Sequence, residues 1–262
     1  MKIIIILFYA FINTSNFYRS IFGYNNYIKT KYIWFIFNYF KNLFFTPDSK
    51  YIKATNELDE NNNCFIYING IMTPEDIAKK DKIHLEKLIN KPVNILFNRS
   101  QSLLFDLYES FIGRENSKLT EASTKALHII TNKLIDPEIN KIVIIAYSQG
   151  TVIISNVLQH LTIVGLDGEK YLQKLEIYCF SNCSSKTVYL KNQLPFMEHF
   201  ANKEDFIAKL GCNCPKKIQK YINIDGDIHI NETGWGHMLS KDYLNNFKNN
   251  FPNAHFNKYL LT

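Results

Sequence analysis

The stretch Lys141-Ile-Val-Ile-Ile-Ala-Tyr-Ser-Gln-Gly-Thr151 decides the reading of this chain. Its apolar, β-branched run from Ile142 to Tyr147 is too short for a helix and reads as a strand buried on both faces. The run ends in A-x-S-x-G, and Thr151 to Leu161 continues as an apolar-faced helix. A strand, a sharp turn and a helix therefore meet at Ser148, an arrangement that lifts a serine hydroxyl above the sheet. Strand and helix backbones nearly touch there, so the residues two before and two after must be small. Ala146 and Gly150 meet that requirement, and Ser148 becomes the candidate nucleophile.

Outward from this point, short β-rich runs alternate with amphipathic ones. Strands are predicted at Cys64–Asn69, Val93–Asn98, Lys141–Tyr147, Leu175–Phe180 and Phe196–Phe200. Helices are predicted at Pro74–Ile89, Ser102–Ile112, Leu119–Ile135 and Thr151–Leu161. The first helix has Thr73 at its N-cap, Pro74 at its first position and Asp76 completing the cap. Alternating strands and helices imply an α/β fold with a mostly parallel sheet covered on both faces. At 262 residues and 46% hydrophobic, the chain can fill one full core, and a single catalytic domain over 51–262 is expected behind an extension over 1–50.

Charge sets that extension apart. Residues 1–50 carry six basic residues against Asp48 alone, and the remainder holds 24 basic and 23 acidic residues. Nothing in the balanced part reads as a nucleic-acid-binding stripe. Residues 3–12 form an uninterrupted apolar run, shorter than the roughly 20 residues a spanning helix needs but matched to the core of a signal peptide. No small-x-small cleavage site follows, which leaves a cleaved signal and an uncleaved anchor both open. A second apolar, aromatic segment, Lys31 to Phe45, confines its polar members to one narrow helical stripe. It suits either an anionic membrane interface or packing on the core. The expected extension is thus an apolar helical one, in a membrane-associated or secreted protein. The polar stretch Asn56 to Asn63 reads as a surface linker.

The five cysteines, Cys64, Cys179, Cys183, Cys212 and Cys214, are odd in number and include no C-x-x-C pair, which argues against structural zinc. Free thiols are expected, with a bridge from Cys212 to Cys179 or Cys183 as the alternative in a secreted protein. No P-loop, G-x-G-x-x-G or H-E-x-x-H is present, so no metal and no cofactor are expected.

Ala146-Tyr-Ser-Gln-Gly-Thr151 resembles the elbow of lipase-like α/β-hydrolases, including the Y-S-Q-G form of cutinases. Three further blocks, Tyr67-Ile-Asn-Gly-Ile-Met-Thr73, Met197 to Gly211 and Gly236 to Leu244, extend the resemblance over about residues 64 to 246, to a eukaryotic serine esterase-like group of that fold. The resemblance implies an α/β-hydrolase fold and the chain order serine, acid, histidine.

That order prunes the histidines. His160 lies in the helix behind the elbow, His199 inside a strand, His229 on a strand face in Asp227-Ile-His-Ile-Asn, and His255 near the C-terminus. His237, in Thr233-Gly-Trp-Gly-His, sits in a glycine-rich loop free to aim an imidazole and is the candidate base. The family-like N-x-x-D pattern from Asn202 selects Asp205 as the acid, with Glu204 its adjacent rival. Asp225 and Asp227 are assigned to a hairpin turn at Asp225-Gly226. Donors for a developing oxyanion are expected from the backbone N–H of Gln149 and, by resemblance to an H-G-x pattern in which Asn69 replaces histidine, of Ile71. Asp106 reads as structural. The expected partner is a small-molecule or lipid ester cleaved through an acyl-enzyme. The alternative is a membrane-tethered binding protein that keeps the fold without catalysis.

Overall fold

The computed structural model describes residues 48–70, 73–98 and 119–260. The apolar segments at 3–12 and 31–45, Ile71, Asp106 and the helix predicted at Ser102–Ile112 lie outside these residues. Among the described residues nine strands and six helices follow one another: β1 Lys50–Ile52, β2 Asn63–Ile68, α1 Glu75–Ile89, β3 Val93–Phe97, α2 Glu121–Ile135, β4 Lys141–Tyr147, α3 Gln149–Ile163, α4 Glu169–Leu172, β5 Leu175–Phe180, β6 Lys186–Thr187, β7 Phe196–Asn202, α5 Lys216–Gln219, β8 Asn223–Ile224, β9 Asp227–Asn231 and α6 Phe247–Asn250. A π-helical segment spans Leu239–Leu244, and short 3-10 turns lie at Ala208–Leu210 and His255–Tyr259.

Seven strands form one sheet in the order β1-β3-β2-β4-β5-β7-β9, antiparallel only at β1, and β6 with β8 makes a separate two-stranded pair. The chain steps from β2 to β3 on one side and then returns to β4 on the other side of β2. This reversal opens a crevice at the carboxyl ends of β2 and β4, the place where open α/β sheets bind ligands. Register brings the ends level: Ile68 faces Ala146, Tyr147 faces Phe180, and Phe180 faces Phe200. The residues that follow β2, β4, β5 and β7 therefore emerge side by side.

Side-chain alternation along these strands sorts the core into two layers. Ile66, Ile68, Ile142, Ile144 and Ile177 pack under α2 and α3, while Phe65, Tyr67, Val143, Ile145, Tyr178 and Phe180 pack under α1 and the C-terminal segment. Full burial of each such side chain contributes about 1.5–3 kcal/mol. The C-terminal cover is aromatic: Phe200 lies 4.9 Å from Phe180, 5.0 Å from Phe247 and 5.2 Å from Phe251 between ring centroids.

Several expectations need correction. Pro74, not Thr73, caps α1, and it does so without a side-chain hydrogen bond, because the proline holds an extended ψ of 154° and the helix begins at Glu75. α2 starts at Glu121, two residues later than expected, behind the N-cap Thr120, whose hydroxyl accepts from the N–H of Ser123 at 3.2 Å. Residues 56–63 lie mostly at the surface, but they are pinned there, since Asp59 is buried and accepts from the N–H groups of Asn61 and Asn63, and Glu57 pairs with Lys53 and Lys133. Asp225-Gly226 does not close a hairpin: β8 pairs with β6 and β9 with β7, so the turn passes the chain between two sheets. Gly226 is needed there because its φ is +99° and an added Cβ would lie 2.6 Å from the carbonyl of Met197. All five cysteines are free thiols.

Candidate active site

Ser148 stands between β4 and α3 with φ 54° and ψ −121°, a conformation costly for any residue with a side chain. Its neighbours hold it there. The Ser148 N–H donates to the carbonyl of Phe180 at 3.0 Å, and the Ser148 carbonyl accepts from the Thr151 N–H at 2.9 Å, the Thr151 hydroxyl at 2.6 Å and the Cys183 thiol at 3.4 Å. An added Cβ at Gly150 would sit 2.4 Å from the carbonyl oxygen of Ile68, so only glycine lets the helix pass β2 this closely. Gly70 meets the elbow from the other strand, where a Cβ would lie 2.7 Å from that of Ser148.

The candidate base, His237, arrives on the loop after β9. Gly236 turns it with φ +81°, tightly enough that a Cβ would meet the Asp242 carboxylate at 2.3 Å. Tyr147, the residue before the nucleophile, donates its hydroxyl to the carbonyl of His237 at 2.6 Å, and the two rings lie 5.0 Å apart. The side chain of Asn202, at the end of β7, donates to the carbonyls of Trp235, Gly236 and Asp242. The loop of His237 is thus fastened to the strand that leads to Asp205.

With both loops fixed, His237 Nε2 lies 3.0 Å from Ser148 Oγ, and His237 Nδ1 lies 2.9 Å from Asp205 Oδ2. Ser148 and His237 are buried, and Asp205 is fully so. Asp205 Oδ1 accepts from the N–H groups of Ile207 at 2.8 Å and Ala208 at 3.4 Å, and Oδ2 accepts from the hydroxyl of Tyr243 at 2.6 Å. Burial works against ionisation of this carboxyl, but the His237 charge and the hydrogen bonds from His237, Tyr243 and Ser181 outweigh it and hold the group below its ordinary range. A depressed carboxyl stabilises the fold above its unfolded pKa, and that stabilisation is lost as pH falls through the lower folded value.

The remaining candidates lie apart. Glu204 turns to Lys209 at 2.8 Å, and Asp225 accepts from the N–H of Tyr189 at 2.9 Å. His199 is fully buried between the side chain of Asn182 and the carbonyl of Asp225, and burial pushes its imidazole down to about 4. His229 contacts Glu198, and His160 the carbonyl of Asn156. Gln149 opens α3 immediately after Ser148, so its N–H lies at the positive end of that helix. Asn69 accepts from the N–H of Asn98 at 2.7 Å and donates to the Asn98 carbonyl at 3.0 Å, clasping the ends of β2 and β3, while Asn98 donates to the Gln149 side chain.

Sequence reasoning missed Tyr243, Ser181 and Tyr147. Ser181 Oγ lies 3.0 Å from His237 Nδ1, and only the sheet order β5-β7-β9 brings the residues after β5 and β9 together. Tyr243 lay inside a quoted block, six residues after His237, with nothing local to mark its partner. Among the described residues, no group of three or more His, Cys, Asp and Glu side chains is placed to hold a metal ion. The chain matches no protein-family model, no curated protein and no solved structure.

Proposed function

We propose that this protein is a serine hydrolase of the α/β-hydrolase type that cleaves a carboxylic ester through an acyl-enzyme. The observation that carries the reading is the unbroken line from Ser148 Oγ to His237 Nε2 at 3.0 Å and from His237 Nδ1 to Asp205 at 2.9 Å. Ser148 Oγ attacks the ester carbonyl as its proton passes to His237 Nε2, and the imidazolium is held by Asp205. The N–H of Gln149 faces the developing oxyanion. Collapse expels the alcohol, which takes the proton from His237. Water, deprotonated by the same imidazole, then releases the acid and restores Ser148.

Trp235 and Met238 flank the base loop and are about half exposed, which favours an apolar acyl or alcohol group. Incubation with a fluorophosphonate should attach one phosphonyl group, mapped by peptide mass to Ser148. An unmodified Ser148 in folded protein would overturn the reading.

The reading extends to membrane attachment through residues 1–50, supported by their charge surplus and two apolar segments. Among the described residues no helix is long and apolar enough to cross a membrane. Full-length protein is expected to co-sediment with vesicles containing anionic lipid, and the triple change Lys29→Gln, Lys31→Gln and Lys41→Gln should weaken this by about tenfold or more. Equal co-sedimentation with neutral vesicles would count against it.

A further inference from the structure

Asp205 receives more donors than orientation of an imidazole requires. Besides His237 it accepts from two backbone N–H groups and from the hydroxyls of Tyr243 and Ser181. The direction of the Tyr243 proton is settled by its other contact. The Tyr243 oxygen accepts from the N–H of Asn202 at 3.2 Å, so its single proton is left to point at Asp205 Oδ2, 2.6 Å away. The ring is fully buried and packs edge-on against Phe180 at 6.0 Å, which fixes the hydroxyl. It enters from the π-helical segment Leu239–Leu244, the continuation of the loop that carries His237.

Resting on the serine-hydrolase reading, we infer that Tyr243 is a positioning residue that sets how strongly Asp205 stabilises protonated His237. Oδ2 is shared between two donors, Tyr243 O–H and His237 Nδ1–H. Charge drawn toward the phenol is not available to the imidazolium, so the Tyr243 hydrogen bond weakens the hold of Asp205 on a protonated His237. The other titratable or charged groups around the pair are Tyr147 from β4, Cys212 beyond the 3-10 turn, and Asp242 with Lys241 from the π-helical segment. Burial keeps Tyr147 and Cys212 neutral, and Asp242 is engaged by the N–H of Met238 at 2.8 Å. Ser181 also reaches the pair, but its hydroxyl lies 3.0 Å from His237 Nδ1, so Tyr243 is the side-chain donor whose removal changes Asp205 without removing a contact to His237.

The test is an NMR titration of the His237 Cε1–H signal in full-length protein, assigned by its loss in His237→Gln. Tyr243→Phe keeps the ring and should raise the His237 midpoint by about one pH unit. Replacement of Tyr243 by 3,5-difluorotyrosine keeps the ring and strengthens the donor, and should lower the midpoint; it decides the matter should Tyr243→Phe fail to fold. Midpoints that stay within about 0.2 units of wild type in the folded variants, or that move the opposite way, overturn the inference, since a purely structural tyrosine changes activity at all pH values alike. Fluorophosphonate labelling of wild type is run alongside. If Ser148 does not react, the hydrolase reading fails, while the imidazole titration still reports on Tyr243.

Discussion

Ser148→Ala is expected to abolish fluorophosphonate labelling and to lower ester hydrolysis by about 10⁴-fold to 10⁶-fold, with the fold unchanged. The variant keeps the Cβ that touches Gly70 and every backbone hydrogen bond that holds the elbow, and loses only Oγ and its contact with His237 Nε2. Thermal unfolding should stay within about 1–2 kcal/mol of wild type. Residual activity near wild type in a pure, folded sample would place the nucleophile elsewhere.

Asp205→Asn should cost about 10⁴-fold in turnover. The asparagine amide would donate toward His237 Nδ1, forcing the ring proton onto Nε2, where it can no longer accept from Ser148. The N–H groups of Ile207 and Ala208 and the Tyr243 hydroxyl select for an acceptor at this position, so the amide must also leave one of them poorly matched. Acid unfolding supplies a second readout. Wild-type Asp205 titrates below its ordinary 3.8, so its contribution to stability is present above that pH and lost as pH falls through the folded value. The variant has no such group, and its stability should change less steeply over that acid range. Comparable pH profiles and comparable rates for the two proteins would remove Asp205 from the site.

What could be read without the structure was what the chain states locally. The run into Ser148 and the small residues at 146 and 150 are consecutive, and the constraint that links them is steric contact between β4, α3 and β2. The strands from Cys64, Val93, Lys141 and Leu175 were legible because strands buried on both faces are mostly apolar, and the strand from Phe196 keeps enough apolar residues around Glu198 and His199 to show the same pattern. β1, β6 and β8 are two or three residues long and carry no period to detect. The Asp225-Gly226 turn has the composition of a hairpin, and only pairing partners far along the chain decide otherwise. Tyr243 and Ser181 reach Asp205 and His237 through sheet register and a π-helical turn, neither of which leaves a local pattern.

Gly70 has a stereochemical consequence. Its Cα presses against the side of Ser148 so closely that one more carbon would stand 2.7 Å from the serine Cβ, and the imidazole nitrogen occupies a second side at 3.0 Å from Oγ. An ester carbonyl has two faces, and the directions left open around Oγ present the hydroxyl to one of them. Under the proposed chemistry, a racemic ester with a stereocentre next to the carbonyl should be resolved as it is consumed, leaving one enantiomer in excess, whereas equal consumption of both would mean that the approach is wider than the backbone at Gly70 allows. The position of Gly70 at the end of β2 would then be written into the product.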